Sequence, residues 1–138
     1  MRYVDLAHAI LAQGRLPEAA AAVARIETMQ APCDAEWVIK RHTARALLAA
    51  QSGDHEGGLP DARAAVAAAD ATGLIICRAN AHRTLAELLW ATGRTRDAAT
   101  AAQTAVSLDE AKANVVAAAA TRERFSALLG SDAGARAS

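Results

Sequence analysis

A glycine-centred phrase returns three times in this chain, at Gly14, Gly53 and Gly93, spaced by thirty-nine and forty residues. Each time an alanine- and leucine-rich segment runs up to the glycine and a second small-residue segment follows it. The returns read Leu6-Ala7 through Gly14-Arg15-Leu16-Pro17-Glu18-Ala19, Ala46-Leu47-Leu48 through Gly53-Asp54-His55-Glu56, and Leu85-Ala86-Glu87-Leu88-Leu89 through Gly93-Arg94-Thr95-Arg96-Asp97-Ala98. A fixed period in this range marks a helical repeat array, whose units cannot bury their apolar faces alone and must stack. Forty of the 138 residues are alanine and only four are aromatic, so the helices must approach closely with small residues between them.

Gly73 follows Gly53 by twenty residues and Ala113 follows Gly93 by twenty, which makes Asp34-Ala35-Glu36-Trp37-Val38, Gly73-Leu74-Ile75-Ile76-Cys77 and Ala113-Asn114-Val115-Val116-Ala117 equivalent. Each stretch opens the first helix of a new pair. Asp34 and Asn114 suit an N-cap, Gly73 suits a left-handed turn, and Pro32 cannot extend the helix before it. Seven helices are expected, at about 2–13, 17–29, 35–51, 56–72, 74–91, 95–112 and 114–129. They group into units 1–33, 34–73 and 74–113, a capping helix 114–129 and a frayed tail 130–138. Gly57, Gly58 and Pro60 fall where the fourth helix should start, so that helix either begins late or is kinked. Leu6, Ile10, Val23, Ile26, Leu48, Val66, Ile76, Leu85, Leu89, Val106 and Phe125 are expected to supply most of the apolar core.

The glycine followed five residues later by a small residue (Ala19, Gly58, Ala98), with Leu/Ala pairs seven and eight residues before it, resembles the tetratricopeptide repeat. The units are several residues longer than the usual form. That length, with Arg63-Ala64-Ala65-Val66 leading to Ala71-Thr72-Gly73 and Lys112-Ala113-Asn114-Val115-Val116-Ala117-Ala118-Ala119, is similar to the C-terminal helical arrays of large bacterial regulators. In those a cyclase or a LuxR-type DNA-binding module is joined to a STAND-type ATPase and then to repeats. The resemblance implies an all-α right-handed superhelix of three tetratricopeptide-like pairs plus a C-terminal capping helix. The regulators' other parts are missing from the sequence: it has no GxxxxGK[ST] loop, no paired-aspartate cyclase core and no helix-turn-helix. Met1-Arg2-Tyr3 opens directly within the first helix, which favours a segment of a longer regulator over a stand-alone relative.

In such a superhelix the first helix of each pair lines the concave face. Counting back thirteen, ten, six and three residues from each glycine gives Lys40, Thr43, Leu47 and Ala50 in the second unit and Asn80, Arg83, Glu87 and Trp90 in the third. Val4, His8 and Leu11 come from the first. This row mixes polar, charged and large apolar residues, as peptide-binding grooves do. Trp90 beside Arg83 and Asn80 has the composition of an interface hot spot, the alternative being that it packs against the last helices. Arg83 and Glu87 stand four apart, the spacing of a surface ion pair. Asn80 has a side chain able to donate to a peptide carbonyl. The rival to groove binding is self-association into a homodimer, in which Tyr3, Leu6 and Ile10 form an apolar edge that a second copy covers.

The remaining function classes find little support. Fifteen basic residues balance fifteen acidic ones, and the arginines are scattered among acids rather than interleaved with aromatics, so no nucleic-acid partner is expected. No apolar run is long enough to span a bilayer and the amino terminus does not read as a signal peptide, so a cytoplasmic protein without membrane partners is expected. Cys33 and Cys77 lie too far apart in sequence for a paired-cysteine motif; one reads as an exposed thiol and the other as a core filler. His42 and His82 occupy equivalent positions, but equivalent sites in adjacent repeats are about 10 Å or more apart, too far for one metal ion. They read as packing positions between paired helices. No nucleophile with an adjacent base, converging carboxylates or metal motif is visible, so neither an enzyme nor a cofactor is expected.

Overall fold

The computed structural model describes residue 7, residues 9–28 and residues 34–130, and every element among them is helical. The first helix, α1, is described at residue 7 and residues 9–12. It is followed by α2 (Leu16–Thr28), α3 (Ala35–Gln51), α4 (His55–Asp70), α5 (Ile75–Ala91), α6 (Thr95–Ala111) and α7 (Val115–Arg124). A last short helix, α8, covers residues 126–130. The expected capping helix 114–129 is thus broken at Phe125, whose side chain is fully buried and whose carbonyl accepts from the backbone N–H groups of Leu128 and Leu129.

One turn chemistry recurs at four connections. Gly14, Gly53 and Gly93 have φ of 71°, 88° and 83°, and Ala113 takes the same left-handed conformation at φ 59°. At each, the next residue's N–H bonds to the carbonyl five back: Arg15 to Ile10, Asp54 to Ala49, Arg94 to Leu89 and Asn114 to Asp109. This satisfies carbonyls that a helix end otherwise leaves orphaned. Gly73, expected to turn in the same way, does not have positive φ. There the Thr72 hydroxyl donates to the Ala69 carbonyl and accepts from the Leu74 N–H, so a side chain satisfies groups that the left-handed turn satisfies elsewhere.

Helix starts follow the same accounting. Asp34 accepts from the Glu36 N–H and Asn114 from the Ala117 N–H, while Asp54 caps α4 by accepting from Gly57. That cap starts α4 at His55, so the helix does not begin late, and Pro60 lies inside it. Gly58 is required by close approach. A Cβ there would come within 2.8 Å of the Leu88 side chain and 3.0 Å of the Ala46 carbonyl oxygen. Ala19 and Ala98, its counterparts, are also completely buried.

Consecutive helices from α2 onward to α7 pack on one another, and α3 also reaches α5. The apolar interior divides into three clusters. Ile10, Leu11, Val23, Ile26 and Trp37 anchor the first; Ile39 with Ala65, Ala69 and Ala81 forms the second; Leu59, Leu85, Leu88, Leu89 and Phe125 anchor the third. Fully buried alanines on α3 to α6 fill the space between them, which is how so few aromatics suffice. Ile76, expected in the core, is 40% exposed at the amino end of α5, and Leu48 and Val66 are only partly buried. Leu6 lies outside the described residues. Among the described residues no helix is long and apolar enough to cross a membrane.

Candidate functional site

The helices α3, α5 and α7 open two clefts on one side of the molecule. The larger, about 620 Å³, is walled by Thr43 and Leu47 of α3, by Asn80, Arg83, Thr84 and Glu87 of α5, and by Ala117, Ala120, Thr121 and Arg124 of α7. The smaller, about 480 Å³, continues past Leu47, Glu87 and Arg124 to Ala50, Gln51, Trp90 and Ala91, with His55 at its edge. The two share Leu47, Glu87 and Arg124 as wall residues, so they adjoin and are taken together as one groove.

Of the residues expected on a binding face, Thr43, Leu47, Asn80, Arg83, Glu87 and Trp90 all line this groove. Lys40 lines neither cleft and pairs with Glu36 at 3.1 Å. Thr43 is almost wholly buried, and its hydroxyl donates to the Ile39 carbonyl of its own helix. It contributes wall rather than a free donor.

The charges are arranged differently from the sequence expectation. Arg83 and Glu87 do not pair with each other. The Arg83 guanidinium reaches the Asp109 carboxylate at 2.8 Å, the Thr121 hydroxyl at 3.1 Å and the Asn80 side-chain oxygen at 3.0 Å. Asp109 is 1% exposed, so this arginine is spent on neutralising a buried charge and tying α5 to α6 and α7. Asn80 accepts from it instead of standing free. Glu87 pairs across the groove with Arg124 at 2.8 Å. Arg124 lies outside the row counted back from Gly53 and Gly93. Carried one more step, the forty-residue register leads from Asn80 to Ala120 and from Thr84 to Arg124, all four on the groove walls.

Trp90 is half-buried. Its ring lies 5.5 Å from Phe125, tilted by 43°, and the Arg124 guanidinium carbon sits 4.6 Å above it. It therefore packs on the chain's last helices and also faces the smaller cleft. Of the edge expected for self-association, Ile10 is 8% exposed inside the first cluster, among Ala7, Leu11, Ala19 and Ala22. Tyr3 and Leu6 lie outside the described residues, as do Val4, His8 and Cys33.

The histidine row has a carboxylate at each position. His42 Nδ1 is 2.8 Å from Asp61, and His82 Nε2 is 3.0 Å from Asp70. Both aspartates belong to α4, which is clasped by one pair from α3 and one from α5. Arg45 bridges Asp61 and Glu27, and although burial works against its charge these carboxylates hold its pKa above the ordinary value. Among the described residues no group of His, Cys, Asp and Glu is placed to hold a metal ion. Burial, then the Glu36 charge, pushes the Cys77 thiol up, which disfavours the reactive thiolate. Arg94 is paired with Glu56 at 2.9 Å.

No protein-family model, curated protein or solved structure matches the chain.

Proposed function

We propose that this chain is a non-catalytic protein-interaction scaffold that holds an extended segment of a partner in the groove across α3, α5 and α7. The observation that carries the reading is the pair of adjoining clefts, about 480 and 620 Å³, that share Leu47, Glu87 and Arg124 along the row picked out by the repeat register. A groove of mixed apolar and hydrogen-bonding walls is what a peptide needs, side chains filling apolar pockets while its backbone finds polar partners. The same reading takes the helices as tetratricopeptide-like pairs in a right-handed superhelix. Three observations support it: the turn repeated at Gly14, Gly53 and Gly93, the buried small residue five positions on, and the contact of α3 with α5 as well as α4. On this reading the segment serves as the regulatory repeats of a larger signalling ATPase, cyclase or transcriptional regulator, relaying partner capture to an attached module.

Ala120 offers a clean test, because it is exposed and lines the groove without belonging to the core. Ala120→Arg should abolish capture of a peptide selected on the wild-type chain while leaving stability unchanged. Ala119→Arg, exposed but not on the groove wall, should leave capture intact. Equal binding by both variants would remove the groove as the site.

Self-association is a second reading, favoured by an apolar patch at the start of α7. Val115 and Val116 are 70% and 78% exposed, and no acidic residue occupies the first turn of α7. An antiparallel second copy of α7 would cover the valines with Ala119 and Ala120 and bring its Glu123 to that positive helix end.

A further inference from the structure

The groove contains a cation box that the chain fills with its own side chain. The Arg124 guanidinium carbon lies 4.6 Å above the Trp90 ring and 5.4 Å from that of Phe125, and its Nη2 meets the Glu87 carboxylate at 2.8 Å. An aromatic face beside a carboxylate is what a guanidinium or ammonium group seeks, since the ring's negative face and the carboxylate both attract it. The two cations of the groove differ in how firmly they are held. Arg83 has three hydrogen-bond partners and a buried counter-charge. Arg124 has one, Glu87, and its side chain is 53% exposed against 33% for Glu87. An exposed ion pair and an exposed stacking contact are both weak, so Arg124 can leave for water at little cost. It also stands where the two clefts meet, so a segment threading the groove must pass it.

We infer that Arg124 is an internal stand-in for a basic side chain of the partner, and that the groove recognises an arginine or lysine inserted between Trp90 and Glu87. On binding, the incoming cation takes the box and Arg124 swings out to solvent. A basic ligand fits better than an acidic one for two reasons. An acid would have to draw Arg124 away from Glu87, stranding the less exposed of the two charges, and the faces of Trp90 and Phe125 attract cations, not anions. The partner segment is therefore basic at one position, with neutral or apolar neighbours to match Leu47, Ala50 and Ala117.

The inference rests on the groove reading but is tested apart from it, with N-acetyl-arginine amide as a single-cation probe and Trp90 emission as readout. Trp37, the other tryptophan, is 3% exposed, packs in the first cluster and lines neither cleft. Arg124→Ala empties the box and should bind the probe about tenfold more tightly than the wild-type chain. Glu87→Gln added to Arg124→Ala should return binding to the wild-type level. Arg124→Gln, which keeps part of the aliphatic stem but drops the charge, guards against a folding defect and should shift affinity in the same direction. Equal affinity in all variants overturns the inference, as does a wild-type chain that prefers N-acetyl-glutamate amide through Arg124. A selected peptide that enters the groove with no basic side chain at Glu87 sinks the box and leaves the groove standing. Probe binding by Arg124→Ala with no peptide ever entering the groove does the reverse.

Discussion

Arg83 lines the groove, yet Arg83→Ala should act first on stability. Truncation deletes three hydrogen bonds and leaves Asp109, whose side chain is 2% accessible, without its cation. Removing one partner of a buried pair costs about 3–5 kcal/mol, against about 1 kcal/mol for a neutral surface hydrogen bond. The Arg83 side chain is 26% exposed, so water admitted by the truncation recovers part of the loss and about 2–4 kcal/mol is expected. Urea unfolding followed by Trp90 emission and by far-ultraviolet circular dichroism reads it out, Trp90 reporting on the packing of Phe125 against α5. A second variant isolates the cause. Asp109→Ala in the Arg83→Ala background removes the stranded charge and should restore at least about 1 kcal/mol. A loss under about 1 kcal/mol in the single variant, or no recovery in the double, would refute the assignment of Arg83 to the buried carboxylate.

Ala113→Gly should stabilise the chain by about 1 kcal/mol, because alanine at φ 59° bears a left-handed penalty that glycine escapes; thermal unfolding measures it, and a destabilisation would mean the turn is held by something else. Gly58→Ala should instead cost about 1–3 kcal/mol, overriding the usual helix gain, since the new methyl meets Leu88 and the Ala46 carbonyl; a more stable variant would show that α3, α4 and α5 can part freely. Asp70 gives a pH dependence. Burial pushes its carboxyl up, but the hydrogen bond and charge of His82, and then those of Arg78, outweigh this and hold its pKa below the ordinary 3.8. Its contribution is therefore complete above about pH 3.9 and is lost as pH falls through the lower folded-state value. Asp70→Asn should lower the urea midpoint at pH 7 and flatten the acid limb below pH 4; an unchanged acid limb would exclude the His82–Asp70 pair as a contributor.

The helices and their turns were legible because they follow local rules. Glycines at Gly14, Gly53 and Gly93 needed only backbone preference, and Asp34 and Asn114 only an unpaired oxygen ahead of an alanine-rich run. The repeat register carried the row from α3 to α5, which is why Leu47, Asn80, Arg83, Glu87 and Trp90 came together on one groove. It failed where a residue's partner lies in another repeat. The spacing of Arg83 and Glu87 suggested a local pair, yet a buried aspartate twenty-six residues away outcompeted Glu87, since an unpaired Asp109 would be far costlier than an unpaired surface acid. Arg124 was missed because the row was counted only from Gly14, Gly53 and Gly93, while its partners Glu87 and Trp90 lie more than thirty residues back in the chain. Gly73 was misread because Thr72 can cap the same helix end with its hydroxyl, an alternative that a glycine rule does not weigh.

Amide chemical-shift mapping tests the central claim most directly: the isotope-labelled chain is titrated with a peptide selected on it from a random display library. A groove-binding scaffold predicts saturable shifts concentrated at Leu47, Asn80, Glu87, Ala120 and Arg124, spanning α3, α5 and α7 together. Shifts confined to Val115 and Val116, or to α4 and α6, would place recognition elsewhere and contradict the account.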